Sequence, residues 1–259
     1  MPEGHTLHRY ARHHHRWLAG TTVHSSSPQG RFTGATDLDG ATLLRVEAWG
    51  KHIVYTFDLD WAPHVHIHLG LFGRFRPRKM PFPEPRGAVR WRLLGPARGF
   101  DLSGPTRCAR LEPHMLAELT RRLGPDPLRK DADPQRFLDG LKRRRKSIAG
   151  ALMDQSLIAG IGNVYRAEIL HIHRLDPYRP ANDLTEEEAM AIWRTTAKAL
   201  DVGVRLGRIV TTDLDRPREV PRTRKVWVYK RPICTACHTR VQVDMLEGRK
   251  LYWCPSCQG

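Results

Sequence analysis

The amino-acid sequence predicts an α+β protein in which a β-rich N-terminal half is followed by a helical half and a small cysteine-rich module. Three observations carry this expectation. Residues 21–100 contain short apolar runs broken by frequent glycine and proline, which is typical of strands and turns. Beyond a linker-like stretch at residues 124–134, apolar residues recur at helical spacing. Four cysteines then lie close to the last residue of the sequence.

Individual elements follow from the spacing of apolar residues. An amphipathic helix is predicted over residues 5–19, where Gly20 occupies the position of a C-terminal cap. The strands are predicted at residues 53–57, 65–69 and 89–93. The later helices are predicted at residues 135–141, 147–158, 163–171 and 185–203. Asn163 and Thr185 stand where the last two of these helices begin, and both residue types are favoured as N-caps.

Composition and charge restrict the possible classes of protein. The 259 residues include 43 Lys and Arg against 27 Asp and Glu, a formal net charge of +16. Such an excess favours a polyanionic partner, above all nucleic acid, although a merely solvated basic surface is the alternative. The hydrophobic content of 40% argues against disorder. Without a run of 18 apolar residues or a secretory signal, the expected location is cytoplasmic, with no membrane partner.

The cysteine spacing predicts a zinc site. Cys234 and Cys237 form one C-x-x-C pair, and Cys254 and Cys257 form a second. Two such pairs in one module supply four thiolates to a tetrahedral ion. Disulfides are the alternative, but a reducing cytosol disfavours them. Four thiolates leave the ion no open coordination position, so one structural Zn²⁺ is expected.

The first residues carry candidate chemistry. Pro2 follows the initiator methionine, whose removal is expected before so small a residue, and this leaves a secondary amine at the N-terminus. An α-amine titrates near neutrality, so a useful fraction is nucleophilic at pH 7. It can attack a sugar C1′ to give an iminium, with Glu3 as general acid/base.

The segment before Asn163 indicates a DNA-backbone clamp. A predicted helix, a tight Gly160-x-Gly162 turn and a second helix follow one another, and free backbone N–H groups at a helix start favour phosphate. A basic run at residues 143–146 precedes them. A plain helical hairpin with a solvated face is the alternative interpretation.

Together these segments resemble the formamidopyrimidine-DNA glycosylase and endonuclease VIII family. The resemblance runs from residue 2 to residue 258 and keeps the order of motifs. It implies an N-terminal β-sandwich flanked by helices, a helix-two-turn-helix domain, and a four-cysteine zinc-finger β-hairpin. The expected domains are residues 1–124, 125–224 and 225–259. The segments that carry the resemblance are Pro2-Glu3-Gly4, Gly50-Lys51, His68-Leu69-Gly70-Leu71, residues 154–163 and the cysteine module.

The resemblance also implies an activity and its catalytic residues. The implied protein is a monomeric DNA glycosylase and AP lyase of base excision repair, acting on damaged double-stranded DNA. Pro2 resembles the nucleophile that displaces the damaged base, and Glu3 the acid/base that assists it. Lys51 is similar to a lysine implicated in β-elimination. Arg249 is similar to the zinc-finger arginine that grips phosphate and assists δ-elimination.

DNA contacts are implied at further positions. Asn163 matches a turn asparagine bound to the DNA backbone, Arg122 resembles a DNA-contacting arginine of the endonuclease VIII branch, and Lys146 is a lesser backbone candidate. Glu168 resembles an acid of the second clamp helix. Leu71 or Phe72, at a glycine-flanked apolar tip, is the expected wedge that fills the void left by a flipped base.

The sequence leaves the lesion class open. Gly70 stands where the endonuclease VIII branch has a polar residue, but residues 253–258 and the segment around Arg122 favour that branch, and with it oxidised pyrimidines. Oxidised purines are the alternative substrate. A catalytically inactive DNA-binding protein and a zinc-ribbon RNA-binding or transcription module are the alternative classes.

Overall fold

The computed structural model describes residues 2–259, which divide into two compact units. Unit 1 comprises Pro2 and Thr6–Arg122, and unit 2 comprises Glu3–His5 and Leu123–Gly259. No helix in the described part of the chain combines the length and the apolar composition that are needed to cross a bilayer.

Unit 1 is a β-sandwich flanked by helices α1 (Gly4–Leu18) and α2 (Pro113–Arg122). One sheet has the strand order β1-β3-β4-β5-β9 and the other β2-β7-β8-β6, with antiparallel pairing throughout. The predicted helix and the three predicted strands are confirmed. The strands are β1 (Thr21–Thr22), β2 (His24–Ser26), β3 (Thr42–Trp49), β4 (His52–Phe57), β5 (His64–His68), β6 (Arg74–Lys79), β7 (Val89–Leu94), β8 (Arg98–Ser103) and β9 (Arg107–Leu111).

Unit 2 contains the predicted helical region and a β-hairpin. Helix α6 begins with a capping box, in which the Thr185 side chain accepts from Glu188 N and the Glu188 side chain accepts from Thr185 N. Its start is therefore confirmed. The elements are α3 (Pro134–Lys142), α4 (Ile148–Ala151), α5 (Asn163–Ile172), α6 (Glu186–Leu206), β10 (Gln242–Leu246), β11 (Arg249–Trp253) and α7 (Pro255–Gln258).

The helix predicted over residues 147–158 is wrong beyond its first turn, since α4 ends at Ala151. The chain turns there, and the Gln155 side chain satisfies backbone groups within the turns that follow. Its Nε2 donates to Met153 O at 3.1 Å and to Ile161 O at 3.0 Å, while its Oε1 accepts from Gly160 N at 3.1 Å. Two short turns therefore replace the second half of the predicted helix.

The stretch that the sequence marks as a linker is packed at its start. Asp126 is buried, and Gly124 N donates to Gln155 O at 2.9 Å. A Cβ on Gly124 would lie 2.4 Å from the carbonyl carbon of Leu157, so only glycine fits this approach. These residues belong to the body of unit 2.

The core of unit 1 contains a buried histidine. His14 on α1 is fully buried, its ring stacks on Phe100 with the centroids 4.5 Å apart, and its Nδ1 lies 2.6 Å from Tyr55 Oη. Burial lowers the pKa of His14 from 6.5 to about 3, with a smaller contribution from His13. The imidazole is therefore neutral in the folded protein at neutral pH.

This histidine is expected to make folding sensitive to acid. As the pH falls below 6.5, the unfolded chain binds a proton at His14 before the folded chain does, so stability present above pH 6.5 is lost toward pH 3. The expected contribution to the free energy of unfolding is about 1.4 kcal/mol per pH unit in this window. Urea denaturation at several pH values should give His14→Gln a shallower slope than the wild type. Equal slopes would contradict this assignment.

Candidate active site and cysteine cluster

The chain start is held by a buried carboxylate. Pro2 is half-buried, and Glu3 after it is fully buried. Glu3 Oε2 accepts from Gly162 N at 3.0 Å and Tyr165 N at 3.4 Å, and Oε1 accepts from Val164 N at 2.8 Å. These N–H groups belong to the start of α5, where no intrahelical acceptor exists. A carboxylate at the positive end of a helix is favourable. These hydrogen bonds therefore fix Glu3, the residue next to Pro2.

The predicted role of this helix start is therefore wrong in one respect. Asn163 is the first residue of α5, and the N-cap position is occupied by Gly162. Glycine has no side chain that could accept a hydrogen bond from the helix start. Glu3 supplies the cap instead and occupies the N–H groups that the sequence suggests are free for a phosphate. The interaction spans about 160 positions of sequence, which is why local patterns do not reveal it.

The glycine pair is required by close approach of the chain start. Gly4 N donates to Gly160 O at 2.8 Å, and Gly160 has a φ of +104°, which favours glycine. A Cβ on Gly162 would lie 2.5 Å from Glu3 Cδ. Residues 160–162 thus leave room for residues 3 and 4.

The first turn of α5 also grips the hairpin formed by β10 and β11. Asn163 is buried, and its Nδ2 donates to Lys250 O at 2.8 Å. Arg166 Nη2 donates to the same carbonyl at 3.0 Å and also to Asn163 Oδ1. Burial, with a smaller effect of the Arg249 charge, lowers the pKa of Arg166 to about 10, so it remains a cation at neutral pH. Asn163 therefore orients the strand residue beside Arg249.

Arg249 follows a tight turn at the tip of this hairpin. Glu247 and Gly248 have φ values of +48° and +72°, and β11 begins at Arg249, opposite Leu246. Arg249 is exposed. The Glu247 carboxylate lies 3.4 Å from Lys146 Nζ, so Lys146 contacts the turn that presents Arg249.

The four cysteines converge on one point. One sulfur atom from each of Cys234, Cys237, Cys254 and Cys257 lies within 4.8 Å of the others. Cys234 and Cys254 are fully buried, whereas Cys237 is exposed and Cys257 half-buried. A set of four thiolates suits a tetrahedral metal ion, so the residues fit the zinc-finger-like site that the fold implies.

Glu168 anchors the segment that leads into the cysteine module. Its buried carboxylate accepts from the backbone N–H groups of Trp227, Val228 and Tyr229 at 2.7 to 3.0 Å, and also from Thr211 Oγ1. Burial raises the pKa of Glu168, and these four hydrogen bonds oppose that shift. These contacts fix Glu168 inside the protein, where it holds the backbone of residues 227–229.

In unit 1, Lys51 lies in the turn between β3 and β4, after Gly50 with a φ of +55°. Burial lowers the pKa of both His52 and His68, that of His52 to about 4, and the Lys51 charge lowers both further. These histidines line a cavity of about 390 Å³, and Arg122 lines it as well. Arg122 ends α2 and pairs with Glu118.

The apolar tip predicted as a wedge is exposed. Leu71 is 63% exposed and Phe72 83% exposed, in the turn between β5 and β6. Gly70 has a φ of +62°, and a Cβ on Gly73 would lie 2.2 Å from Leu69 O. Both glycines are needed to form the turn that exposes the two side chains.

Sequence reasoning missed Arg166 as a residue that organises the site, and it assigned the turn at Gly162 to a phosphate rather than to Glu3. Arg166 follows Asn163 by three positions, and this helical spacing was the available signal for the pair. The two residues act through one carbonyl, Lys250 O, which no sequence pattern identifies.

Comparison with known proteins defines the class. The formamidopyrimidine-DNA glycosylase N-terminal domain matches residues 1–102, and the formamidopyrimidine-DNA glycosylase H2TH domain matches residues 123–215. The chain is 44% identical to Endonuclease 8 1 of Mycobacterium tuberculosis, over the full length of both. It is 34% identical to the formamidopyrimidine-DNA glycosylase of Thermus thermophilus, covering 88% of this chain and 87% of that protein.

A solved structure agrees with these matches. The crystal structure of the MutM (Fpg) protein from Thermus thermophilus superposes with a TM-score of 0.78 at 30% identity, covering 99% of this chain and 98% of that one. The fold and these matches thus define a DNA glycosylase with AP lyase activity. The chain belongs to the formamidopyrimidine-DNA glycosylase and endonuclease VIII family.

The Glu3 cap can be tested by removing the space it occupies. A methyl group in Gly162→Ala is expected to displace the carboxylate and to lower the free energy of unfolding by about 1–3 kcal/mol, because buried N–H groups lose their acceptor. In a Glu3→Ala background, Gly162→Ala should lower the free energy of unfolding only a little. A double-mutant cycle, measured by urea denaturation, gives the difference between the effects of Gly162→Ala in the two backgrounds. Equal costs in both backgrounds would show that the carboxylate is not the obstacle.

Proposed function

We propose that the protein is a bifunctional DNA glycosylase and AP lyase of base excision repair that removes oxidised bases, pyrimidines in preference to purines, and cleaves the strand by β,δ-elimination. The observation that carries this proposal is the fixed chain start. Glu3 is held by three backbone N–H groups of α5, so the residue before it has a defined position. A nucleophile needs such positioning to attack a sugar carbon.

Pro2 is the proposed nucleophile once Met1 has been removed. Its neutral secondary amine attacks C1′ of the damaged nucleotide, the bond to the base breaks, and the base leaves with the electron pair. Opening of the sugar ring gives an iminium that joins Pro2 to the strand. Glu3 serves as acid/base in these proton transfers, and its negative charge stabilises the cationic intermediate.

Lys51 and Arg249 are the proposed agents of strand cleavage. The iminium acidifies C2′, and loss of that proton expels the 3′ phosphate in β-elimination, for which Lys51 is the proposed contact at the lesion. A second elimination expels the 5′ phosphate. Arg249 is proposed to hold that phosphate, and its place after the tight turn, next to the carbonyl bound by Asn163 and Arg166, supports this role.

The partner is proposed to be damaged double-stranded DNA, bound by a monomer in the cytoplasm at the nucleoid. Arg122 and Lys146 supply exposed positive charge for phosphates, and Asn163 is proposed as a backbone contact. The damaged nucleotide must leave the stack, at a few kcal/mol. The exposed apolar tip of Leu71 and Phe72 is suited to fill the void that remains.

The metal is proposed to be one structural Zn²⁺ held by the four cysteines. When bound, the ion supplies folding free energy to the small hairpin module. The cysteine sulfurs bind it, and the hairpin that they fix carries Arg249. The higher identity to Endonuclease 8 1 than to the Thermus formamidopyrimidine-DNA glycosylase supports the endonuclease VIII branch, and so oxidised pyrimidines.

Borohydride trapping tests the nucleophile. Incubation with a duplex containing an abasic site, followed by reduction, is expected to give a covalent adduct whose mass maps to Pro2. Pro2→Gly should bind the same duplex but form far less adduct, because its primary amine replaces the secondary one. Absence of both adduct and strand nicking on every duplex would instead indicate an inactive DNA-binding protein. Trapping at an undiminished rate in Pro2→Gly, with an adduct whose mass maps away from residue 2, would point to another amine, such as Lys51.

The same assay with thymine glycol and 8-oxoguanine duplexes decides the lesion class. Faster base release from thymine glycol is expected, and a preference for 8-oxoguanine would assign the protein to oxidised purines.

Substitution of the hairpin arginine separates the two elimination steps. Arg249→Ala is expected to retain Schiff-base trapping and β-elimination while δ-elimination falls by about tenfold or more, since a charge-assisted phosphate contact of about 1.5–3 kcal/mol is lost. Gel analysis of the 3′ ends of the cleaved strand measures the ratio of the two products. Arg240→Ala, another arginine of the cysteine module, serves as the matched control. An unchanged product ratio in Arg249→Ala would exclude the assigned role.

A further inference from the structure

His171 lies on α5 beside the cysteine cluster and takes no part in the proposed reaction. It is 6% exposed, and its Nε2 lies 3.2 Å from Cys234 Sγ, within hydrogen-bonding distance of a sulfur acceptor. Its ring stacks on Trp227, with centroids 5.4 Å apart and an interplanar angle of 21°. The stacking on Trp227 and the contact with Cys234 Sγ therefore fix the direction of the imidazole toward the sulfur.

The chemistry of a metal-bound cysteine determines which way this hydrogen bond runs. A bound thiolate has no proton and can only accept, so His171 Nε2 must carry the hydrogen and donate it to Cys234 Sγ. Nδ1 is then the unprotonated nitrogen. It has no hydrogen-bond partner among residues 2–259, and the ring borders a cavity of about 480 Å³ beside Thr212 and Arg174.

Cys234 needs such a donor more than the cysteines at the surface. Four thiolates carry more negative charge than one dication neutralises, and hydrogen bonds to sulfur offset the excess. Water reaches Cys237, which is exposed, and Cys257, which is half-buried. Cys234 is fully buried, so the protein itself must donate to its sulfur, and His171 does so.

We propose that His171 is a positioning residue for the metal site, and that its N–H···S bond to Cys234 stabilises the bound thiolate and slows metal loss. This inference rests on the proposed zinc site. It extends the role of α5, which then holds the cysteine module through a metal ligand as well as through Glu168. His171 is not a metal ligand here, because Cys234 already occupies the position that its Nε2 faces.

The test compares zinc release in the full-length protein. The zinc content of the purified wild type is measured first. A protein without zinc would refute the proposed zinc site and not the hydrogen bond between His171 and Cys234. Release to a colorimetric chelator is expected to be about tenfold faster in His171→Phe, which keeps the ring stacked on Trp227 but removes the donor. His171→Gln, whose amide N–H can replace the imidazole N–H, should restore a rate close to the wild type.

His173→Phe is the matched control. His173 lies two positions after His171, directly beyond the end of α5. Its Nε2 pairs with Thr195 Oγ1 at 3.0 Å rather than with a cysteine. It should release zinc at the wild-type rate. Equal release from the His171→Phe and His173→Phe variants would overturn the proposal.

Spectroscopy gives a readout that simple loss of packing does not produce. In the cobalt-substituted protein, the sulfur-to-metal charge-transfer band should shift in His171→Phe and return in His171→Gln. If His171→Phe fails to fold, a measurement on the wild type alone still tests the hydrogen bond. With the NMR-active cadmium isotope bound, scalar coupling between the metal and the His171 Nε2 proton, transmitted through Cys234 Sγ, is expected. Its absence would refute the hydrogen bond.

Discussion

The hydrogen bonds between the Glu3 carboxylate and the start of α5 are the interaction on which the rest of the site depends. A fully buried carboxylate is costly unless its oxygens are satisfied, and three backbone donors at the positive end of a helix satisfy them. The same donors would be unpaired without Glu3. Each partner therefore removes the cost of burying the other, and the consequence is a fixed position for Glu3, the residue that follows Pro2. That is the condition under which a terminal amine can serve as a positioned nucleophile.

Helix α5 acts as the frame for unit 2 because four polar residues along it hold three different segments. Asn163 and Arg166 bind Lys250 O in the hairpin, and Glu168 binds the backbone of residues 227–229. His171 contacts Cys234 at the last turn. All four side chains are buried, so each is constrained to its partner and cannot be replaced by water. An otherwise apolar helix is thus made specific by its buried polar contacts.

The sequence predicts this structure well where the determining interactions are local. The capping box of Thr185 and Glu188, the apolar face of α1 and the two C-x-x-C pairs each involve residues within a few positions of one another. One error arises where a distant residue decides, since the helix start at Asn163 is capped by Glu3, about 160 positions away. The early end of α4 is a different case, because the side-chain bonds of Gln155 to Gly160 N and Ile161 O are local but are not visible in the spacing of apolar residues.

The candidate site follows the same division. Pro2, Lys51 and Arg249 are proposed from their positions within motifs, whereas the contacts that hold Glu3 after Pro2 and Lys250 after Arg249 are not visible in any motif. Arg166 illustrates this, since its partners are a side chain one turn away and a carbonyl 84 positions later. A buried arginine inside a helix has no distinctive sequence pattern, so only the folded chain reveals what it holds.

Two of the charges proposed to meet DNA, those of Arg122 and Lys146, are paired within the protein, and the strength of those pairs determines whether the two cations are available. Arg122 pairs with Glu118 and Lys146 with Glu247, and every one of these side chains is at least 38% exposed. Exposed ion pairs contribute only about 0.2–1 kcal/mol each, because water screens them. A phosphate that replaces the carboxylate therefore displaces little binding energy, while release of its counterions favours association. The buried Asn163 and Arg166 are different, since breaking their contacts would leave polar groups unsatisfied. Arg122 and Lys146 can thus exchange partners, whereas Asn163 and Arg166 keep their bonds to Lys250 O and orient the hairpin that carries Arg249.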